Sequence, residues 1–177
     1  MKKIILLFLS IISLFYVYNN AQASEDIIPD EAIRFRVIAN SNTIYDQNIK
    51  IQVRNVVQNK IFELINGKET IEDTRNIIKE NIDEIDSLVK ETLKKLNYDK
   101  DYNINYGYNY FPKKEYKGIE YKEGKYESLV ITLGDGDGDN WWCVLFPPLC
   151  LVEADESDVE DAEYTFFVKE LIDKYFK

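Results

Sequence analysis

Eleven consecutive residues, Asn140-Trp141-Trp142-Cys143-Val144-Leu145-Phe146-Pro147-Pro148-Leu149-Cys150, hold both tryptophans, both cysteines and two of the four prolines of the chain. Two indoles, a phenyl ring and a Pro-Pro pair are costly to leave in water, so a fold must either plug its core with this segment or present it as a docking surface. Residue chemistry alone does not choose between the two. If the chain is exported, the cysteines, with six residues between them, read as one local disulfide, Cys143–Cys150. Closing so short a loop stabilises by roughly 2.5 kcal/mol in the chain-entropy model. With Pro147 and Pro148 restricting the backbone inside the ring, Val144 to Leu149 would form a rigid apolar knuckle that loses little entropy on docking. The partner-binding candidates are then Trp141, Trp142, Phe146, Pro147 and Pro148, with one indole turned inward and the Phe-Pro-Pro tip outward.

Export is what the N-terminus predicts. Lys2 and Lys3 precede an apolar run from Ile4 to Val17, and Ala21-Gln22-Ala23 follows. The run is short for a bilayer span of about 20 residues, so residues 1–23 read as a signal peptide cleaved after Ala23, with an uncleaved anchor as the alternative. Residues 24–31 read as a polar linker and 32–177 as one domain, long enough to bury a useful core. Without residues 1–23 the chain keeps 20 basic and 32 acidic side chains. A net charge of about −12 argues against nucleic acid, which demands a basic face.

The chain contains no histidine. That removes Ser-His-Asp and Cys-His catalysis and the commonest zinc sites. No catalytic residue, metal, cofactor or small-molecule substrate is expected. Carboxylate chemistry stays open, so an enzyme is disfavoured without being excluded.

Hydrophobic spacing predicts an α+β domain in the order β-α-α-β-β-α, a small, mostly antiparallel sheet packed against amphipathic helices. Ile33, Phe35 and Val37 alternate with Arg34 and Arg36, a half-buried strand with both arginines outward. From about Asp46 the period becomes helical, with Ile49, Val53, Val56, Val57, Ile61, Leu64 and Ile65 on one face and Asn66-Gly67 as the stop. Thr70 caps a second helix carrying Ile71, Ile78, Ile82, Ile85, Val89, Leu93 and Leu96, which Asn97 ends. Tyr102, Ile104, Tyr106, Tyr108 and Tyr110 alternate with Asn and Gly as a strand. Leu129, Ile131 and Leu133, with Val130 on the other side, predict a central strand. Tyr164, Phe167, Val168, Leu171, Ile172 and Tyr175 predict a closing helix from about Ser157, with acids near its start and Lys174 and Lys177 near its end.

Gly134-Asp135-Gly136-Asp137-Gly138-Asp139 begins like a calcium loop, but Asn140 stands where an EF-hand needs Gly and Phe146 where it needs Glu. A hairpin-like glycine loop with an acidic tip is the better reading. It is no phosphate loop, since the Lys-Ser/Thr ending is missing.

Two blocks carry a resemblance to a known family: Ile33-Arg34-Phe35-Arg36-Val37-Ile38-Ala39-Asn40-Ser41 with Asp46-Gln47 and Val53-Arg54, and Gly134 to Cys150. Phe111-Pro112 and Tyr126-Glu127 fit the same pattern. The chain resembles the stage II sporulation protein R family. The resemblance implies a signalling protein secreted from the forespore into the space between forespore and mother cell. There it would activate a membrane-embedded aspartic protease that processes the precursor of sigma factor E. A different class of function, an envelope-associated glycan-binding module or carboxylate-based hydrolase, would use the tyrosine strand and the Asp135 to Asp139 loop.

Overall fold

The computed structural model describes residues 31–67, 70–116, 119–151 and 161–176. The signal, most of the linker and the acids from Asp155 to Glu160 lie outside the described residues, as do Lys177 and the side chains of Tyr164 and Phe167. The elements are β1 (Ile33–Ile38), α1 (Ile44–Ile65), α2 (Ile71–Glu80), α3 (Ile82–Lys95), β2 (Tyr102–Phe111), β3 (Lys114–Tyr116), β4 (Ile119–Tyr121), β5 (Gly124–Leu133), β6 (Asn140–Phe146), a 3-10 turn (Leu149–Leu151) and α4 (Asp161–Phe176). The expected α+β class holds. Among the described residues no helix is long and apolar enough to cross a membrane.

The main sheet has the order β2-β5-β1-β6, with β2 and β6 antiparallel to their neighbours and β1 parallel to β5. Phe35, Val37, Leu129, Ile131 and Leu133 are fully buried against Ile49, Val53, Val57, Ile61, Ile85 and Val89 of the helices. This is the main core, on the face the alternation predicts. β5 is central, as its two-sided apolar pattern requires.

Helix ends follow local chemistry. Thr43 and Thr70 accept the amides of Asp46 and Asp73 at 3.2 and 3.1 Å, each satisfying an orphan donor of a first turn. Asn97 adopts φ 52°, and the amides of Asn97 and Tyr98 return to the carbonyls of Lys94 and Leu93. That is a Schellman stop with asparagine in the glycine position.

Four expectations are corrected. The second predicted helix is two, broken at Asn81, whose φ of −109° leaves the helical range. Lys113 to Lys125, which has no element in the predicted order, contains the small hairpin β3–β4. The aromatic-cysteine segment is itself a strand, β6, on the edge of the main sheet. The arginines do not both stand outward in solvent: Arg36 is half-buried, and Arg34 is 2% exposed, its guanidinium carbon 3.3 Å from the Tyr126 ring centroid and within 6.0 Å of those of Phe111, Tyr121 and Trp142. Both faces of the sheet are covered around β1, because Ala32, Tyr121, Val144, Leu149 and Val168 form a second buried cluster on the arginine side. A planar cation among ring faces is held by their quadrupoles. Arg36 reaches across β5 instead, donating to the Tyr110 carbonyl at 3.3 Å, and burial lowers its pKa.

Candidate partner-binding surface

β6 threads the aromatic segment between the layers. Trp141 faces the helices, edge-on to Phe35 at 5.6 Å. Trp142, one residue on, faces the other side of the sheet and meets Tyr121 at 4.7 Å and Phe111 at 5.8 Å. Both indoles are half-buried, so each has a packed body and an accessible rim. The structure therefore does not divide them into one inner and one outer ring.

Cys143 and Cys150 are bonded, with Cα atoms 5.6 Å apart, and close the expected knuckle. Its tip differs from expectation. Phe146 is 3% exposed and Pro147 is buried, while Pro148 is half-buried; the Phe146–Pro147 peptide is cis. Phe146 is covered because α4 returns over it, placing Tyr175 and Phe176 edge-on at 5.1 and 5.8 Å. Of the five candidates, the indoles and Pro148 reach solvent in part. Pro148 lines a cleft of about 430 Å³ with Phe62, Ile65, Thr74, Phe146 and Tyr175.

The two blocks that carried the resemblance are clasped together. Since β1 lies between β5 and β6, the loop Gly134 to Asp139 cannot close a hairpin; it must cross the end of β1, spanning two strand spacings of roughly 4.8 Å each. Asn40 accepts the Asp135 amide on its side chain and the Asp137 amide on its carbonyl, both at 3.1 Å, while Ala39 and Asn42 accept from Gly138 and Asp139 at 2.9 and 2.6 Å. Asn40 also donates to Asp46 at 2.8 Å. That bond, with a second from Ser41, holds the Asp46 carboxyl below its usual pKa although it is buried. Lys50, its own pKa lowered by burial, donates to the Asp139 carbonyl at 3.0 Å. The loop aspartates thus use their backbones here. Among the described residues no group of three or more His, Cys, Asp or Glu gathers to hold a metal.

This clasp explains the glycines. A Cβ on Gly138 would stand 2.4 Å from the Ser41 carbonyl oxygen and 2.9 Å from that of Ala39, both backbone atoms that cannot swing away. Gly138→Ala is expected to cost about 2 kcal/mol, as overpacked sites do. Gly107→Ala, where the nearest atom is 3.9 Å away, is the control and should cost far less. Chemical denaturation measures both; equal midpoints for the two variants would contradict the clasp.

Sequence reasoning missed a buried polar network on the helix face. Arg75 of α2 forks onto Glu127 of β5 at 2.8 and 2.9 Å, and Tyr106 of β2 donates to the same carboxylate at 2.8 Å. Burial pushes the Glu127 pKa up, but the bonds from Arg75 and Tyr106 outweigh it and leave the carboxyl below its ordinary value. The available signal was Glu127, an acid in register with Leu129, Ile131 and Leu133 on the face that the alternation buries.

Comparison with known proteins follows the same residues. The family model described as stage II sporulation protein R matches residues 29–156, from before β1 through the whole of β6 and the knuckle. The chain belongs to this family. Stage II sporulation protein R of Bacillus subtilis (strain 168) is 41% identical over 138 residues, which is 76% of this chain and 62% of that protein. The chain thus spans less than two thirds of that relative's length. No solved structure matches. Membership of the stage II sporulation protein R family places the chain among sporulation proteins. The matched span holds the clasp and both indoles and ends short of α4.

Proposed function

We propose that the chain is a secreted signal that activates a membrane-embedded aspartic protease, which in turn processes the precursor of sigma factor E in the mother cell. The protein acts as ligand and not as protease, and it reaches its partner in the space between forespore and mother cell. What carries this reading is the family match over residues 29–156, which joins the clasp to the aromatic strand in one unit. The absence of histidine and the half-buried indoles agree with a binding role. Activation by population shift requires only that the ligand bind the active arrangement of the protease more tightly than the inactive one.

Complementation tests it. In a sporulating strain deleted for its own copy of this signal, the full chain should restore cleavage of the sigma-factor precursor, read by immunoblot. A form lacking residues 1–23 and retained in the forespore should not. Equal cleavage with both forms would sink the export part of the reading, and no cleavage with either, despite accumulation of folded protein, would sink the whole.

A further inference from the structure

Arg36 is a half-buried cation that no acid among the described residues pairs with, on a chain of 32 acidic and 22 basic side chains. In register across the sheet, Asn105 of β2, Val130 of β5, Arg36 of β1 and Trp142 of β6 form one row of the second face. The second buried cluster covers that face at the Arg34 end, whereas in this row Asn105 is exposed and Trp142 half-buried. Arg36 Nη1 donates to the Tyr110 carbonyl at an exposed position, Nε is buried without an acceptor, and Nη2 makes no bond while staying in reach of solvent. Burial lowers the pKa of this group, and no neighbouring charge raises it. Lys114 of β3, exposed and also without an ion pair among the described residues, lies 5.6 Å from the Trp142 ring centroid on the same face. The same protein shows what completes such a group. On the helix face Arg75 uses Nε and Nη2 side by side to hold both oxygens of Glu127. Arg36 has that pair of nitrogens left over. A carboxylate arriving from solvent at Nη2 lies beside Nε and gives the buried donor its acceptor.

We propose that this patch receives an acidic side chain of the partner protein, its carboxylate forked onto Nε and Nη2 of Arg36 beside the Trp142 rim, with Lys114 adding to the attraction. This rests on the signalling reading above for who the partner is, though not for its chemistry. The Gly134 to Asp139 loop bounds the face beyond Thr132 and Ile38, where a Cβ on Gly136 would stand 2.6 and 3.6 Å from those side chains. Its aspartates confine the site to the Arg36 row. The bland account is that Arg36 fills a gap over the sheet and ties down Tyr110. The two accounts differ in what removal of the charge does. A structural arginine lowers stability when lost, whereas one whose buried donor waits for a ligand does not, since the orphan leaves with it.

The exported protein, isotopically labelled and purified from a secreting host, is titrated with a capped peptide of alternating Thr and Glu, and with the same peptide carrying Gln for Glu. The Arg36 Nε and Trp142 indole signals are expected to shift with the Glu peptide only. Arg36→Met should unfold at or above the wild-type urea midpoint and lose the indole shift. In cells it should lower precursor cleavage by roughly tenfold or more, as loss of one partner of a desolvated charge pair does. No shift at millimolar peptide, an equal response to the Gln peptide, or a lowered Arg36→Met midpoint would overturn the proposal. So would a wild-type dimer that Arg36→Met dissociates, since an acid of a second copy would then fill the site. Full cleavage by the folded variant, where wild type also cleaves, removes the site and leaves the activator reading intact. A Glu-selective shift in a wild-type protein that activates nothing removes the activator reading and leaves the site.

Discussion

Arg75→Ala is expected to destabilise the domain by about 3 kcal/mol, because it strands a carboxylate in the sheet. The Glu127 side chain is 8% exposed and that of Arg75 25%. Deleting the cation therefore leaves a buried anion with Tyr106 as its remaining donor. The loss should depend on pH in a determined direction. In the wild type the Glu127 pKa is lower folded than unfolded, so its stabilisation is fully present above the ordinary glutamate value of about 4.3 and fades as pH falls through the folded value. In the variant, burial without Arg75 favours the neutral acid. The gap between wild type and variant should be widest at pH 7 and narrow towards pH 4. Urea unfolding at both pH values reads it. A gap that is the same at both would mean that the ion pair is not what joins α2 to the sheet. Arg75→Ala combined with Glu127→Gln should recover part of the loss, since no buried charge is then left alone.

Phe146→Ala separates packing from partner binding at the knuckle. With the ring 3% exposed beneath Tyr175 and Phe176, its removal should cost about 3 to 4 kcal/mol and leave a cavity under α4. Limited proteolysis should then cut α4 faster than in the wild type. Were the ring an outward anchor, as the Phe-Pro-Pro spacing suggests by itself, stability would stay unchanged and only activation would fall. Pro148→Ala is the companion variant: it touches the cleft at a half-buried position and should leave the unfolding free energy within about 0.5 kcal/mol of wild type. Activation measurements on Phe146→Ala have meaning only below its unfolding transition.

What the sequence revealed and what it hid have physical causes. Period-two and helical patterns placed β1, α1, β2, β5 and α4, and Thr70, Gly67 and Asn97 marked helix ends, because these signals act within a few residues. Alternation at Ile33 to Val37 shows which residues share a face but not whether the opposite face is covered. The rings around Arg34 come from residues 111, 121, 126 and 142, and no local pattern links them. The break at Asn81 was invisible because Ile78, Ile82 and Ile85 keep helical spacing across it. Gly134 to Asp139 read as a hairpin since its glycines permit one. Only the insertion of β1 between β5 and β6, a pairing across more than 90 residues of chain, turns it into a crossing loop. At the candidate site the strand that carries the indoles escaped the sequence reading, while the disulfide was legible. The burial of Phe146 was not, since it depends on where α4 returns.

The most direct test of the central claim is reconstitution in a non-sporulating bacterium that expresses the aspartic protease and the sigma-factor precursor. Three strains are compared: one exporting this protein, one without it, and one exporting Cys143→Ser/Cys150→Ser, with folding of each exported form confirmed by circular dichroism. The account predicts precursor cleavage with the wild-type protein, none in its absence, and reduced cleavage with the folded cysteine variant, whose knuckle is no longer closed. A precursor that stays intact while folded wild-type protein accumulates outside the cytoplasm would contradict it.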